Sequence, residues 1–491
     1  MERRQTKNRG WVLASVMLAM FLAAIEATIV ATAMPSIVAD LGGFRYYSWV
    51  FSAYLLTNAA TVLLFGRLAD VFGRKPIFMV GISLFLFGAI LSALAPSMLV
   101  LIGARLVQGL GAGALMPMAT TIVGDIYTKE ERAKIQGYLS SVWGISAVTG
   151  PALGGFFVDV LSWPFVFWMN VPLGILALLG ILIFFKEERS TEKRPVDFKG
   201  SLLVVLTVSS LILLLVEGGG TLGWLSWQSG GLALFSVLGL SLFFYHEKRV
   251  KDPMLPVELW SITLIRYANL TSFVTGMIII GVSSYLPTFV QGVMEQSATV
   301  AGFTLTTMSI GWPIASTLAG RLILKIGYRN TSMAGGVSLI IGGILFSLLT
   351  PEKGPWFAAT GSLFIGIGMG LTTTSFIVSI QNRVDWRTRG IATASNMFMR
   401  SIGSAIGAAL LGGILNSRLA AEIERANLEK ELNTNSANLL LQESGRQDLG
   451  TEAAAVLQQG LSSGLQMVYA GLIVLAIVSF LLILRLPRKE D

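Results

Sequence analysis

One carboxylate and one guanidinium lie deep inside apolar stretches of this chain of 491 residues. Glu26 stands within FLAAIEATIVATAMP (21–35), and Arg105 stands within LIGARLVQGLGAGALMP (101–117). An ionised side chain is costly in hydrocarbon, so each of the two is expected to face a protein interior or a water-filled cavity. A carboxylate that exchanges a proton as its exposure changes is the minimum device for coupling a process to a proton gradient. The sequence therefore predicts a proton-coupling site at Glu26 and Arg105.

The two charges are predicted to lie at matching depths. Each stands seven residues from the outer end of its apolar stretch, which corresponds to roughly 10 Å at about 1.5 Å per residue. The two stretches run in opposite directions, so Glu26 and Arg105 could meet across one cavity. Such a pair serves either proton exchange or permanent structural neutralisation, and the sequence leaves both interpretations open.

Composition indicates that membrane-spanning helices position these charges. The chain is 53% hydrophobic and 13% charged, whereas soluble domains carry roughly 25% charged residues. The chain has no cysteine and one histidine, His246, which excludes disulfides and thiol chemistry and argues against a metal site. The net charge of +8 resides in short loops between apolar segments, which is typical of membrane topology and not of a nucleic-acid surface.

Fourteen apolar runs are long enough, or nearly so, to cross a bilayer. With the N-terminus inside, most of the 36 basic residues fall in inside segments, so both termini are predicted to be cytoplasmic. The predicted spans are 11–33, 48–68, 77–95, 98–122, 136–158, 164–185, 200–216, 229–246, 264–290, 299–322, 331–350, 356–379, 388–415 and 466–485.

The two halves of the chain contain copies of a similar motif. GRLADVFGRK (66–75) returns as GRLILKIGYR (320–329), each following the second span of its half, although Leu324 replaces Asp70. An internal repeat of this kind predicts two six-helix bundles. We therefore predict an N-terminal bundle at 1–190, two inserted spans at 191–250, and a C-terminal bundle at 251–491.

The C-terminal bundle contains one long extramembrane stretch, an extracellular loop at 416–465. It is rich in Ala, Leu, Glu and Asn and has no Pro, which is compatible with amphipathic helices on the membrane surface. A partly ordered connection is the alternative interpretation.

Several motifs resemble those of the major facilitator superfamily. The loop GRLADVFGRK (66–75) resembles that superfamily's motif between the second and third spans, and Arg105 with Gln108 and Gly109 resembles its fourth-span motif of drug/proton antiporters. TGPALGG (149–155) resembles the fifth-span motif of exporters. IEATIVATAMPSI (25–37) is similar to the first-span signature of the fourteen-span drug:H+ antiporter-2 family, with Glu26 in place of the usual Asp.

This resemblance implies the major facilitator fold and assigns roles to particular residues. Asp70 and Arg74 would lock the cytoplasmic side when the cavity opens outward, and the start of the thirteenth span is a candidate partner for Asp70. The residues implied in gating are Gly66, Arg67, Asp70, Gly73, Arg74, Gly150, Pro151, Gly154 and Gly155. The candidates for the substrate cavity are Tyr54, Asn58, Gln108, Trp143, Trp312, Asn396 and Arg400, and for Arg400 a structural pairing is equally compatible.

The function implied is proton-coupled export of amphipathic, cationic or neutral compounds across the cytoplasmic membrane by alternating access. No cofactor is expected, because the proton gradient supplies the energy and the chain lacks a nucleotide-binding P-loop. The expected partners are small amphipathic substrates, protons and membrane lipid, with an accessory envelope protein left open. Two alternatives remain: an exporter of one endogenous metabolite, amino acid or glycolipid, and a membrane enzyme or receptor, for which the chain offers no catalytic cluster.

Overall fold

The regular elements of the structure, a computed structural model, are helical. It describes residues 8–127, 129–187, 198–218, 222–250, 257–384, 386–426, 432–441 and 451–487. We number its long helices α1 (Arg9–Leu41), α2 (Tyr47–Phe72), α3 (Arg74–Ala93), α4 (Met98–Ile126), α5 (Lys129–Phe156), α6 (Phe165–Phe184), α7 (Phe198–Glu217), α8 (Trp227–Glu247), α9 (Thr263–Gly292), α10 (Ala298–Ser347), α11 (Gly354–Arg383), α12 (Trp386–Arg425) and α13 (Thr451–Leu484). Short turns of 3-10 helix lie at Phe44–Tyr46, Val257–Ser261, Pro351–Lys353 and Thr434–Leu441, and a π-helical turn at Phe157–Leu161 follows α5.

The helices are long and apolar enough to form a polytopic membrane protein. Among the described residues, 11 helical segments could cross a membrane by length and composition. The 50-residue helix α10 counts once among them, although Gly327 interrupts it with non-helical backbone angles. The structure thus supports an all-helical membrane protein, and the finer count of fourteen spans stays a prediction.

The internal repeat is visible in the backbone. Gly73 separates α2 from α3 with φ 95° and ψ 156°, and Gly327 divides α10 with φ 80° and ψ 163°. A positive φ of this size favours glycine, so both copies of the motif turn at the same residue. The turn is far tighter than the predicted loop, because residues 66–72 still belong to α2.

Equivalent basic residues after these turns contact equivalent helix ends. Lys75 Nζ donates hydrogen bonds to the carbonyls of Leu182 (2.8 Å) and Phe185 (2.6 Å) at the end of α6. Arg329 Nη2 donates to the carbonyl of Leu484 (2.9 Å) at the end of α13. A cation at a helix C-terminus satisfies free carbonyls and complements the helix dipole. We call this face of the molecule the terminal side, and the opposite face the loop side.

The inserted pair α7–α8 packs along one seam between the two halves. Val204, Val208 and Ile212 of α7 share a buried apolar cluster with Leu56 of α2 and Ile402 of α12. Most of α8 is exposed on the outside of α7, as is expected of a helix that contacts lipid. The predicted insertion between the halves therefore covers the α2–α12 seam.

The segment 416–465 differs from both sequence-based interpretations. Residues up to Arg425 continue α12, and residues from Thr451 already belong to α13, so the two helices, of 40 and 34 residues, are longer than the roughly 20 residues that span a bilayer and pack as an antiparallel pair. Leu457, Leu461 and Leu465 are fully buried in this pair. Because an amphipathic face packs equally well on lipid or on a neighbouring helix, the sequence pattern alone did not distinguish the two.

Candidate functional site

Glu26 lies at the centre of α1, where each of its carboxylate oxygens is held by a different helix. Arg105 Nη1 on α4 donates a hydrogen bond to Glu26 Oε1 and forms an ion pair with it. Asn170 Nδ2 on α6 donates to Glu26 Oε2 at 2.9 Å. Glu26 and Asn170 are completely buried, and Arg105 is 1% exposed. The predicted meeting of Glu26 with Arg105 is therefore present, within a closed polar cluster.

Arg105 is held on several sides. Its Nη1 also donates to Gln108 Oε1 at 2.6 Å, and its guanidinium carbon lies 4.2 Å from the ring centre of Tyr54. A guanidinium over an aromatic face is stabilised by the ring quadrupole, more strongly when both groups are shielded from water. Tyr54 and Gln108, predicted as substrate contacts, are thus part of the Glu26–Arg105 cluster and are themselves buried.

Asn170 was missed by the sequence analysis. It lies in WMNVPLG (168–174), where an amide interrupts an apolar run, and that interruption is the signal that could have identified it. Among the described residues, its Oδ1 atom has no hydrogen-bond partner, and neither does the Nε2 atom of Gln108, although both are buried. This donor and this acceptor could form new hydrogen bonds if the cluster rearranges.

Close helix packing places Arg105 at the cluster. A Cβ atom at Gly109 would lie 2.4 Å from the carbonyl oxygen of Tyr54, and one at Gly113 would lie 2.8 Å from that of Asn58. Side chains larger than hydrogen at these positions would separate α4 from α2. The glycine spacing one turn after Arg105 therefore fixes the distance between α4 and the helix that carries Tyr54.

The motif TGPALGG (149–155) joins three helices. Cβ atoms at Gly150 and Gly154 would collide with Thr28 and Ile29 of α1. A Cβ atom at Gly155 would lie 2.5 Å from Thr299 Cα of α10, and a Cβ atom at Gly302 of α10 would lie 2.2 Å from the carbonyl oxygen of Pro151. Two of the motif's residues thus contact the helix that carries Glu26, and two contact the C-terminal half.

Hydrogen bonds join the two halves near the loop side. Asp159, just after α5, accepts hydrogen bonds from the backbone N–H of Thr299 (3.0 Å) and from its hydroxyl. Gln291 Nε2 on α9 donates to the carbonyl of Thr32 (3.1 Å) on α1. The further bonds of this kind are Tyr47 to Ser284, Thr288 to Tyr47, Ser52 to Ala405, Asn416 to Arg45 and Arg45 to Asn435.

The segment 432–441 adds apolar packing between the halves at the loop side. Leu432, Ala437 and Leu440 are buried in the largest apolar cluster, which contains residues of both halves. The bond between the backbone of Arg45 and Asn435 ties this segment to the N-terminal half. The loop side is consequently closed in this structure.

The predicted gating residues of the terminal side are described only in part. Gly66, Arg67 and Asp70 lie in α2, and their side chains are outside the described part of the chain. The backbone N–H groups of Arg74 and Lys75 donate to the carboxylate of Glu187 at 2.5 Å and 2.9 Å. A carboxylate at a helix N-terminus satisfies free N–H groups and complements the dipole, so Glu187 fixes the start of α3.

Of the remaining predicted substrate residues, Asn58 lies one turn after Tyr54 on α2 and interacts with it, whereas Asn396 lies on α12 in the other half. Asn396 on α12 is buried, donating to Asn269 Oδ1 (3.0 Å) and accepting from Ser272 Oγ (3.1 Å). Asn58 and Trp312 are partly buried, and the side chain of Trp143 is outside the described residues. Asn396 therefore cross-links α9 and α12, and its amide is already engaged.

No group of His, Asp and Glu side chains suitable for a metal ion occurs among the described residues. The chemistry that the cluster offers is a buried carboxylate whose charge is matched by one guanidinium. Proton uptake at Glu26 would release Arg105, and proton loss would restore the pair.

Curated relatives are multidrug transporters and efflux pumps. The chain is 35% identical over 417 residues to the multidrug transporter protein MdtP of Bacillus subtilis, an alignment covering 85% of this chain and 77% of the relative. It is also 35% identical over 404 residues to multidrug resistance protein 3 of the same organism, covering 82% and 79%. The efflux pump FUS6 of Gibberella fujikuroi is 30% identical over 423 residues, covering 84% and 76%.

Solved structures share the fold, and a family model matches most of the sequence. A bacterial homolog of the human lysosomal transporter Spinster, in an inward-facing and occupied conformation, superposes with a TM-score of 0.67 at 16% identity, covering 99% of both chains. The human organic anion transporter MFSD10 superposes with a TM-score of 0.59 at 15% identity, covering 96% of this chain and 99% of that one. The family model of the Major Facilitator Superfamily matches residues 16–408. The chain therefore belongs to the Major Facilitator Superfamily and is a multi-pass membrane transporter, not an enzyme.

Proposed function

We propose that this protein exports amphipathic compounds, drugs among them, by proton-coupled alternating access. The observation that carries the coupling is the burial of Glu26 between Arg105 and Asn170. A carboxylate without access to water exchanges protons only when the surrounding helices move, and this requirement links protonation to conformation. The multidrug transporters among its relatives support the substrate class.

The preference for cationic or neutral substrates needs revision. A preference for cations would need a carboxylate whose charge is not already matched. The charge of Glu26 is matched by Arg105, so this cluster gives no electrostatic reason to favour cations. The proposal here is therefore amphipathic compounds without a requirement for positive charge.

We also propose fourteen spans with both termini in the cytoplasm, so that the terminal side faces inward. Besides the 11 segments noted above, α2 and α7 have 26 and 20 residues, and Gly327 divides α10 into two arms. The excess of basic residues in the predicted inner loops supports this orientation. Substrate would then enter from the cytoplasm or inner leaflet and leave when the loop side opens.

The test is dye efflux from proteoliposomes under an imposed proton gradient. Ethidium serves as a cationic dye and rhodamine 110 as a zwitterionic one. Glu26→Gln is expected to bind dye but to lose gradient-driven efflux, because a neutral amide cannot exchange the proton. Asp40→Asn is the matched control, since Asp40 is an exposed carboxylate on the same helix.

The outcomes separate the alternatives. Undiminished efflux in the Glu26→Gln variant would remove Glu26 from coupling. Efflux of neither dye by the wild-type protein would favour the export of one endogenous solute over drug export.

A further inference from the structure

Arg400 is a second cation within the membrane-embedded part of the molecule. It lies on α12, about 21 Å from the first residue of that helix at about 1.5 Å per residue. Phe398 and Ile402 on α12 pack against α7, and at about 100° per residue Arg400 lies about 160° around the helix from both. Its side chain therefore leaves the helix away from α7 and from the lipid that surrounds it.

The neighbours of Arg400 on α12 show which space it borders. Asn396 and Gly403 contact α9, and the carbonyl of Arg400 itself faces Gly276 of that helix. Ala405 accepts a hydrogen bond from α2. Met397, which lies between the α9 and α2 contacts, is 37% exposed. Arg400 thus stands at the edge of an accessible space between the two halves.

The guanidinium of Arg400 has no ion pair, hydrogen bond or aromatic contact within the described part of the chain. This contrasts with Arg105, which has Glu26, Gln108 and Tyr54 around it. A charge in low-polarity surroundings is normally paired, because removal from water is costly. Arg400 is therefore an unsatisfied binding group.

The balance of charge around this space favours an anion. Among the described residues of the two halves, Glu26 is the one buried carboxylate, and it is neutralised by Arg105. The polar side chains that join α9 to α12 in the turns before and after Arg400 are neutral amides and hydroxyls, namely Asn269, Ser272, Ser395, Asn396 and Ser404. Among the described residues, Arg400 is consequently a positive charge at this space that no protein carboxylate matches.

We propose that Arg400 binds an acidic group of the transported molecule, so that the substrates of this exporter include amphipathic carboxylates, in anionic or zwitterionic form. This assignment rests on the proposed export function, and it adds the chemistry of one subsite. A guanidinium binds a carboxylate through two parallel N–H···O bonds, which gives both strength and orientation. The acidic group of the substrate would pair with Arg400 in the way that Glu26 pairs with Arg105.

The test is the binding of two dyes that differ at one group, measured by fluorescence anisotropy with the protein in nanodiscs and no proton gradient. Rhodamine 110 carries a free carboxylate, and rhodamine 123 is its methyl ester. Arg400→Gln is expected to raise the Kd of rhodamine 110 by about tenfold or more while changing that of rhodamine 123 by less than about twofold. Arg400→Lys keeps the charge and is expected to retain part of the affinity for rhodamine 110.

Arg425→Gln is the control, because Arg425 is an exposed arginine near the end of the same helix. Equal effects of Arg400→Gln on both dyes, or no effect on either, would overturn the proposal, as would failure of the wild-type protein to bind rhodamine 110. Thermal unfolding of each variant shows whether a loss of binding of both dyes reflects misfolding. If Arg400→Gln is misfolded, the affinities of Arg400→Lys for the two dyes test the proposal instead. Binding that depends on Arg400 without gradient-driven flux would retain the anion subsite and reject coupled export.

Discussion

Glu26 is bound by two side chains that come from helices on different sides of α1. Arg105 holds Oε1 from α4, and Asn170 holds Oε2 from α6. A proton on either oxygen would change the hydrogen-bond pattern on both sides at once, because a protonated carboxyl must donate as well as accept. Asn170 Oδ1 has no partner in this structure and is available for such a donor.

We predict that Asn170→Ala lowers the free energy of unfolding by about 1–3 kcal/mol, because it leaves a buried carboxylate oxygen without its donor. The loss should be smaller in a Glu26→Gln background, since a neutral acceptor needs that donor less. Thermal unfolding of the wild-type protein, both single variants and the double variant measures this coupling.

Asn330→Ala is a suitable comparison, because Asn330 is an exposed amide that bonds only a local carbonyl. Asn330→Ala should leave the free energy of unfolding nearly unchanged. If Asn170→Ala lowers the free energy of unfolding equally in the wild-type and Glu26→Gln backgrounds, Asn170 stabilises the helix packing and does not act on the carboxylate.

At the scale of elements, α5 is one of the helices on which the two halves meet. One face of TGPALGG packs on α1, and the other approaches α10 so closely that a Cβ at Gly155 would lie only 2.5 Å from Thr299 Cα. Glycine is required there by the neighbouring chain, because no side chain fits between the two backbones. The closed loop side depends on this contact.

We predict that Gly155→Ala disfavours the closed loop side by about 1 kcal/mol or more, which is about a fivefold change in the ratio of open to closed molecules. A cysteine placed at the buried Thr32 reports on this change through its rate of alkylation, since the chain has no other cysteine. Gly144→Ala is the matched control, because its Cβ would lie 3.7 Å from Pro313, an ordinary contact. Equal alkylation rates in both variants would show that α5 and α10 do not form the closure.

Particular residues show what the sequence could and could not predict about these elements. The glycines of GRLADVFGRK and GRLILKIGYR marked both turns, because positive φ angles restrict the residue type. Glu26 and Arg105 were identified because charges in apolar runs are rare. Asn170 was missed, since a single buried amide usually satisfies a local need. The upright α12–α13 pair was not predicted because its apolar stripe fits lipid as well as a helix.

At the scale of the whole molecule, the hydrogen bonds between Asp159 and Thr299 cross from one half to the other. The proposed alternating access requires the halves to separate on this side, so under that proposal these contacts break in each cycle. The segment 432–441 is buried among residues of both halves and must move in the same step.

We predict that a disulfide in an Asp159→Cys/Thr299→Cys variant stops gradient-driven efflux and that dithiothreitol restores it. These two positions are chosen because Asp159 accepts hydrogen bonds from both the backbone N–H and the hydroxyl of Thr299 across the interface. A Ser210→Cys/Ser236→Cys variant is the control, because it joins α7 to α8 through hydroxyls 3.2 Å apart and leaves the halves free. Efflux that continues with the first pair oxidised would mean that transport does not require the loop side to open.

Because α7 and α8 pack on one flank of the molecule, its two flanks in the plane of the membrane differ. The repeat of six helices would by itself create two equivalent seams, α2 against α12 and α5 against α10. The inserted pair covers the first of them, whereas Ile145 and Ile314 beside the second are 56% and 63% exposed. A compound diffusing in the bilayer therefore meets α7 and α8 on one flank and exposed side chains of α5 and α10 on the other, so the two flanks present different surfaces to the lipid.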